Sequence, residues 1–207
     1  MTNVRILYWH LYDACALILG DNIFYSAGLL SLLKESVNLA LNGKAIIYSY
    51  YVNDPERFGI VEFDDKWNVV SIEEKPKNPK SNYCITGLYF YPNGACKKAK
   101  DIKLSSRGEY EITKLNKMYL NDSNLHVITL GRGYSWIDAG TLEALVDASN
   151  YIKMIEDHQG LKVCCPEEIA YKNGWINKFE LIKQGELMSN NQYGQHLLNV
   201  SNGKIIY

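Results

Sequence analysis

The stretch Leu17-Ile18-Leu19-Gly20-Asp21-Asn22 decides the fold: an apolar run that stops in a glycine, a carboxylate and an amide. Residues 14–19 read as a short buried strand. In an open α/β sheet, ligands sit just beyond the carboxyl ends of the strands, so an acid placed there points into a site. Working outward, residues 27–41 carry Leu29, Leu33, Val37 and Leu41 at intervals of four, an amphipathic helix closed by Asn42-Gly43. Residues 44–52 are β-branched and aromatic, hence a second strand. Strand, helix, strand in that order is a βαβ unit and predicts a parallel pair with a right-handed crossover.

The middle of the chain changes character. Gly59–Phe63 and Val69–Glu74 flank an Asp64-Asp65-Lys66 turn and predict a hairpin. Residues 82–91 read as a strand ended by Pro92-Asn93-Gly94, Glu109–Tyr119 as a helix, and His126–Leu130 as a last short strand. A helix over 142–157 places Leu145, Ala148, Ile152 and Ile155 on one face, with Thr141 as its N-cap. From about residue 160 the pattern is helical, opening at Cys165-Pro166-Glu167-Glu168, where proline suits a first turn. A strand at Lys204–Tyr207 is the one exception expected in this appendage.

Composition narrows the class. The 207 residues are 47% hydrophobic and 22% charged, with a formal net charge of -1, as for an ordinary globular chain that needs neither disulfides nor metals to fold. That charge balance argues against nucleic acid as a partner. No run approaches the ~20 apolar residues of a membrane span, which argues against a membrane partner, and the first residues make a poor signal peptide. Five cysteines without CxxC spacing read as reduced thiols of a cytoplasmic protein; the vicinal Cys164-Cys165 pair could in principle hold a metal or a strained disulfide.

Four constellations can carry chemistry. Asp21 is either a Mg2+ ligand, since Mg2+ takes one or two carboxylates plus phosphate oxygens, or a helix N-cap. Asp138, in Trp136-Ile137-Asp138-Ala139-Gly140-Thr141, follows a strand-like stretch and precedes a helix, so the two acids can converge on one cation. Glu74 and Lys75 end a strand at Pro76, which puts them at a sheet rim or on a solvated edge. Arg107, in Ser105-Ser106-Arg107-Gly108-Glu109, suits a phosphate, while Ser106 and Glu109 suit a capping box. Dinucleotide and Walker fingerprints are absent, Gly131-Arg132-Gly133 being followed by Tyr134-Ser135-Trp136. His10, His126, His158 and His196 fit no nucleophile motif or metal-ligand spacing.

These segments closely resemble glucose-1-phosphate thymidylyltransferases. The matching stretches are Leu17–Tyr25 (LILGDNIFY), Val52–Phe63 (VNDPERFGIVEF), Glu73–Tyr83 (EEKPKNPKSNY), Thr86–Tyr91 (TGLYFY), Arg107–Thr113 (RGEYEIT), Gly131–Thr141 (GRGYSWIDAGT) and Gly160–Tyr171 (GLKVCCPEEIAY). They run in order from about Ala14 to about residue 198. The CPEEIAY and NQYG tail separates this family from longer uridylyl- and adenylyl-transferring relatives. The resemblance implies a Rossmann-like, mixed α/β nucleotidyltransferase sheet over residues 1–159 and a helical assembly or regulatory tail over 160–207.

The resemblance also implies roles. Asp21 and Asp138 would hold Mg2+, the cofactor, and the substrates would be dTTP and glucose 1-phosphate. Lys75 and Arg107 match catalytic positions that grip the sugar phosphate. Asn22, Gly59, Glu74, Lys75, Ile85, Tyr89 and Trp136 match substrate-binding positions, and the partner would be further copies of the chain, a tetramer in the family. Phe58 stands where the family commonly has tyrosine, Ala139 where it has threonine, and Lys114 where an acid is common. The glycine-rich triphosphate loop that opens the family pattern, roughly 90 residues with its strands, has no counterpart in residues 1–13. The sheet is therefore expected to be truncated at its first strands and to present an open edge. On this reading the chain lacks turnover, and the alternative is a non-catalytic fragment that keeps an oligomer-forming or sugar-phosphate-binding surface.

Overall fold

The computed structural model describes residues 13–105 and 107–205. It divides into two units, one reaching to Ala144 and the other beginning at Leu145. The division falls inside a helix whose amphipathic pattern runs through it, so the sequence marks no break there and suggests residue 160 instead.

In the first unit the elements run β1 (Cys15–Ile18), β2 (Asn22–Tyr25), α1 (Leu29–Leu41), β3 (Ala45–Tyr51), a 3-10 turn (Pro55–Arg57), β4 (Gly59–Phe63), β5 (Val69–Glu74), β6 (Tyr83–Tyr91), α2 (Ala95–Lys100), α3 (Ile112–Asn121), β7 (Leu125–Thr129) and β8 (Ser135–Asp138). A six-stranded mixed sheet has the order β5-β4-β6-β3-β7, with β1 also on β6; β2 and β8 form a separate antiparallel ribbon. The nine-residue β6 is the spine. Its first half pairs with β4 and its second with β1, Cys15 lying opposite Tyr91 and Ile18 opposite Leu88.

Side-chain alternation builds the layers, because successive residues of a strand point to opposite faces. Ala45 and Ile47 of β3, with Tyr89 and Tyr91 of β6, pack against Ala95 of α2 and Leu115 and Tyr119 of α3. Ile46 and Tyr48, with Leu88 and Phe90, face Ala40 of α1 and Leu130. Helices thus cover both faces, as an α/β layer architecture requires.

Several expectations change here. The parallel neighbour of β3 is β7, not β1; β6 lies between β1 and β3, antiparallel to both. Strand β1 is an edge strand rather than a buried one. Among the described residues β6 is its one strand partner, and Ile18 is 57% exposed. On α1, Val37 and Leu41 face outward, while Ser36 and Ala40 are buried against the sheet. These two small residues allow close approach, and the Ser36 hydroxyl lies 2.5 Å from Tyr48 Oη. Helix α3 begins at Ile112 rather than Glu109, with Glu111 at its N-cap and no side-chain cap bond, so the capping box expected of Glu109 does not form; Ser106 lies outside the described residues. Helix α2, right after Pro92-Asn93-Gly94, goes unread in the sequence. The β4–β5 hairpin forms as expected, Asp64 Oδ1 accepting from the Lys66 and Asn68 amides at 2.8 Å each.

Helix α4 (Leu142–Gln159) begins as predicted, Thr141 Oγ1 accepting from the Ala144 amide at 3.2 Å. The predicted inner face keeps Ala148 buried but leaves Leu145 exposed. The second unit then holds α5 (Pro166–Lys172), α6 (Lys178–Leu187) and α7 (Gln192–Ser201) around Cys165, Leu181, Leu197 and Val200. Asn177 caps α6 through a reciprocal box with Glu180, satisfying two otherwise orphan backbone donors. Gly194 has no room for a side chain, since a Cβ would collide with the Met188 carbonyl. Lys204 and Ile205 form no strand; the rest of that expected strand lies outside the described residues. All five cysteines are free thiols. No helix among the described residues is long and apolar enough to cross a membrane.

Candidate active site

The β2–β8 ribbon brings the two acids together. Asn22 is paired with Asp138 in its register, and the Ala139 amide donates to the Asp21 carbonyl at 2.7 Å. Asp21 sits in the turn between β1 and β2 and precedes no helix, so the N-cap reading fails for it. Both carboxylates converge on Gly140: a Cβ there would lie 3.2 Å from Asp138 Oδ1 and 3.5 Å from Asp21 Oδ2. They open into a cleft of about 320 Å³ lined also by Arg57, Phe58, Lys75 and Thr141.

The electrostatics follow from this convergence. Burial, and then the neighbouring Asp21 charge, push the Asp138 carboxyl above the usual carboxylate range; the Gly140 amide, Arg57 and Lys75 pull it partly back. Two hard oxygen donors beside open space match a Mg2+ site, which keeps several positions for water and phosphate. The donor set therefore fits the metal.

Asn22 braces the ribbon. Its Oδ1 accepts from the Gly87 amide at 2.8 Å and from Trp136 Nε1 at 2.6 Å, and its Nδ2 donates to Asp21 Oδ1 at 2.9 Å. The fit is close enough that a Cβ on Gly87 would stand 2.5 Å from Asn22 Cγ. Trp136 packs edge-on against Tyr50 and Phe58, with centroids 5.8 and 5.4 Å away.

Lys75 holds a left-handed backbone, φ 41°, in front of Pro76, and its amide donates to the Phe58 carbonyl at 3.0 Å. A non-glycine residue in that region costs on the order of 1–3 kcal/mol and persists where the surroundings impose it, often at functional sites. Lys75 lines the cleft with the two acids, and its charge is one of those that pull the Asp138 pKa down.

A second group lies one residue along the same hairpin. Gly59 and Glu74 are register partners, and a Cβ on Gly59 would stand 3.2 Å from Thr113 Oγ1, 3.3 Å from Glu74 Oε2 and 3.5 Å from Ile85 Cδ1. Thr113 donates to Glu74. Arg107 joins from the side, its Nη2 being 3.6 Å from Glu74 Oε1. Its strongest partner is Glu111, reached by Nε at 3.0 Å and Nη2 at 2.8 Å, with Glu109 at 3.1 Å. Those bonds, Glu111 first, raise the guanidinium pKa still further.

Of the residues singled out in the sequence, Asp21, Asp138 and Lys75 meet in the cleft. Gly59, Glu74 and Ile85 meet beside it with Arg107. Tyr89 is placed in the core, 3% exposed and stacked on Tyr91. Arg57, Phe58 and Thr113 were not assigned site roles in the sequence. The one signal for Arg57 was Asp54-Pro55, a tight-turn start directly ahead of β4.

A family model described as nucleotidyl transferase matches residues 3–154. The chain belongs to the nucleotidyl transferase family. It is 47% identical over 188 residues to the glucose-1-phosphate thymidylyltransferase of Neisseria meningitidis serogroup A, covering 91% of this chain and 65% of that one. It is 45% identical to the Mycobacterium tuberculosis protein of that name, covering 91% and 64%. The chain thus spans under two thirds of the length of these relatives. Among solved structures it is similar to a Bacillus anthracis protein assigned as a glucose-1-phosphate thymidylyltransferase, in complex with sucrose, with TM-score 0.59, 37% identity and coverage of 68% and 55%. A UDP-glucose pyrophosphorylase with UDP-glucose shares the fold at TM-score 0.58, 20% identity and coverage of 68% and 56%.

Proposed function

We propose that this chain serves nucleotidyl transfer from dTTP to glucose 1-phosphate, giving dTDP-glucose and pyrophosphate, and that the described residues form its metal and sugar-phosphate side. The carrying observation is the convergence of Asp21, Asp138 and Lys75 on one cleft. In the reaction an oxygen of the sugar phosphate attacks the α-phosphorus of dTTP in line; the new O–P bond forms as the bond to the pyrophosphate oxygen breaks, and pyrophosphate leaves with the electron pair. Asp21 and Asp138 would hold Mg2+, which would supply charge neutralisation on the phosphates. Lys75 holds the sugar phosphate, with Arg107 at its side, and Glu74 and Gly59 position the sugar against Ile85. Such catalysis rests on positioning and charge stabilisation more than on proton transfer.

Calorimetric titration of the chain with glucose 1-phosphate in Mg2+ tests this. Saturable binding that weakens at least ~10-fold in Lys75→Ala is expected; absence of binding, or binding indifferent to Lys75, contradicts it. Pyrophosphate release on adding dTTP then measures turnover directly.

The product is an activated sugar, which suits polysaccharide and dTDP-rhamnose synthesis in the cytoplasm, a compartment consistent with five free thiols. Exposed Trp175, Phe179 and Leu187 on the helical unit support self-association into a homo-oligomer, which light scattering would measure.

A further inference from the structure

The helical unit holds a buried cluster that nucleotidyl transfer does not use. Cys165 stands at the N-cap of α5, Glu168 on its first turn and His196 on α7; all three are buried, at 2%, 4% and 5% exposure. One donor atom from each, the thiol sulfur, a carboxylate oxygen and a ring nitrogen, lies within 4.8 Å of the other two. The tightest edge is His196 Nε2 to Glu168 Oε2 at 2.6 Å.

A His–Glu pair sealed in a small core can be a satisfied structural ion pair, and Glu168 has Lys172 on its other oxygen at 2.9 Å. That reading accounts for the ion pair and leaves the sulfur as a core side chain bonded to Tyr193, but not for its place within ligand distance of both partners. Thiolate, imidazole and carboxylate together are the donor set of zinc, with bonds of about 2.0–2.3 Å in tetrahedral geometry. Such bonds separate ligand atoms by roughly 3.3–3.8 Å, which the spread from 2.6 to under 4.8 Å brackets.

We propose that Cys165, Glu168 and His196 form a binding site for a zinc-class divalent cation in the helical unit. Three protein ligands leave a fourth position open. His196, though neither Cys165 nor Glu168, also lines a cavity of about 430 Å³ with Lys162, Asn191 and Gln195, which brings open space to one side of the cluster. Outer partners are in place to orient the ligands: Lys172 on Glu168, and the Tyr193 hydroxyl, 3.3 Å from Cys165 Sγ and donating to Glu167. Binding replaces the His196–Glu168 hydrogen bond with two metal bonds: the proton in that bond leaves Nε2, the neutral ring keeping one on Nδ1, and the Cys165 thiol proton leaves to solvent as the sulfur becomes a ligand. The neighbouring Cys164 is exposed and outside the cluster.

Titration of the full chain with Co2+ reads the site directly, since a cobalt–thiolate bond gives a sulfur-to-metal charge-transfer band and tetrahedral Co2+ gives intense visible bands. One equivalent per chain is expected, displaced by Zn2+. Cys165→Ser should abolish the charge-transfer band, His196→Gln should weaken binding at least ~10-fold, and Cys164→Ser should leave both unchanged. Folding of each variant is checked by circular dichroism. A folded wild-type chain with no thiolate band, or a band that survives in Cys165→Ser, overturns the site.

Discussion

In the sheet unit, Asp21 and Asp138 stand at the mouth of an open cleft with Arg57 and Lys75 across from them. In the helical unit, Glu168 is buried between Lys172 and His196, with a sulfur beside it. Both arrangements gather ligands, and they differ in exposure to solvent. The open cleft keeps hard oxygen donors and space for water and phosphate, which suits Mg2+. The dry cluster adds a thiol and an imidazole, softer donors that select zinc over magnesium. Carboxylates in the first can sit close because water and cationic neighbours screen them; in the second each charge needs a partner in contact.

The contrast can be broken by substitution, beginning with the largest expected effect. Leu181, fully buried in the helical unit, carries its small core; Leu181→Ala should cost about 2–5 kcal/mol, seen as a lower urea midpoint by circular dichroism, with the sheet unit's glucose 1-phosphate binding unchanged. Asn22→Ala should cost about 1–3 kcal/mol, because the Gly87 amide and the Trp136 indole lose their acceptor; it should also loosen Asp21 and weaken metal binding at the cleft. Lys75→Gly should go the other way in stability, raising it by about 1 kcal/mol through relief of the left-handed backbone, while glucose 1-phosphate binding falls at least ~10-fold. Val37→Ser, on the outward face of α1, should change stability by no more than ~0.5 kcal/mol.

The sequence carried the local elements because local chemistry makes them: the Asp64 turn, the Thr141 cap, Pro166 at the first turn of α5, the β-branched and aromatic run of β3, and Pro92-Asn93-Gly94 ending β6. Pairing was less legible. The short apolar run of β1 says strand, but not that β6 would come between it and β3, since that depends on a strand some seventy residues away. The inward face of α1 was misread because leucines outweigh Ser36 and Ala40 in a hydrophobic pattern, whereas close packing on Tyr48 favours the small pair. At the site, the two acids were legible from their place at strand ends, and the ribbon that joins them explains why they converge. Arg57 was not, because a 3-10 turn positions it. His196 shows the same limit: it lies 28 residues from Glu168, with no metal-ligand spacing, and only the packing of α5 on α7 brings them together.

Asp21 and Asp138 converge on Gly140 and are proposed to form one cation site. Titration of the chain with Mn2+, an oxygen-preferring stand-in for Mg2+, followed by the loss of its free paramagnetic signal, measures that site. One site is expected, its affinity falling by roughly 100-fold in Asp21→Asn and in Asp138→Asn, with no change in Cys165→Ser. Equal Mn2+ affinity in the wild type and in the doubly substituted chain would contradict it.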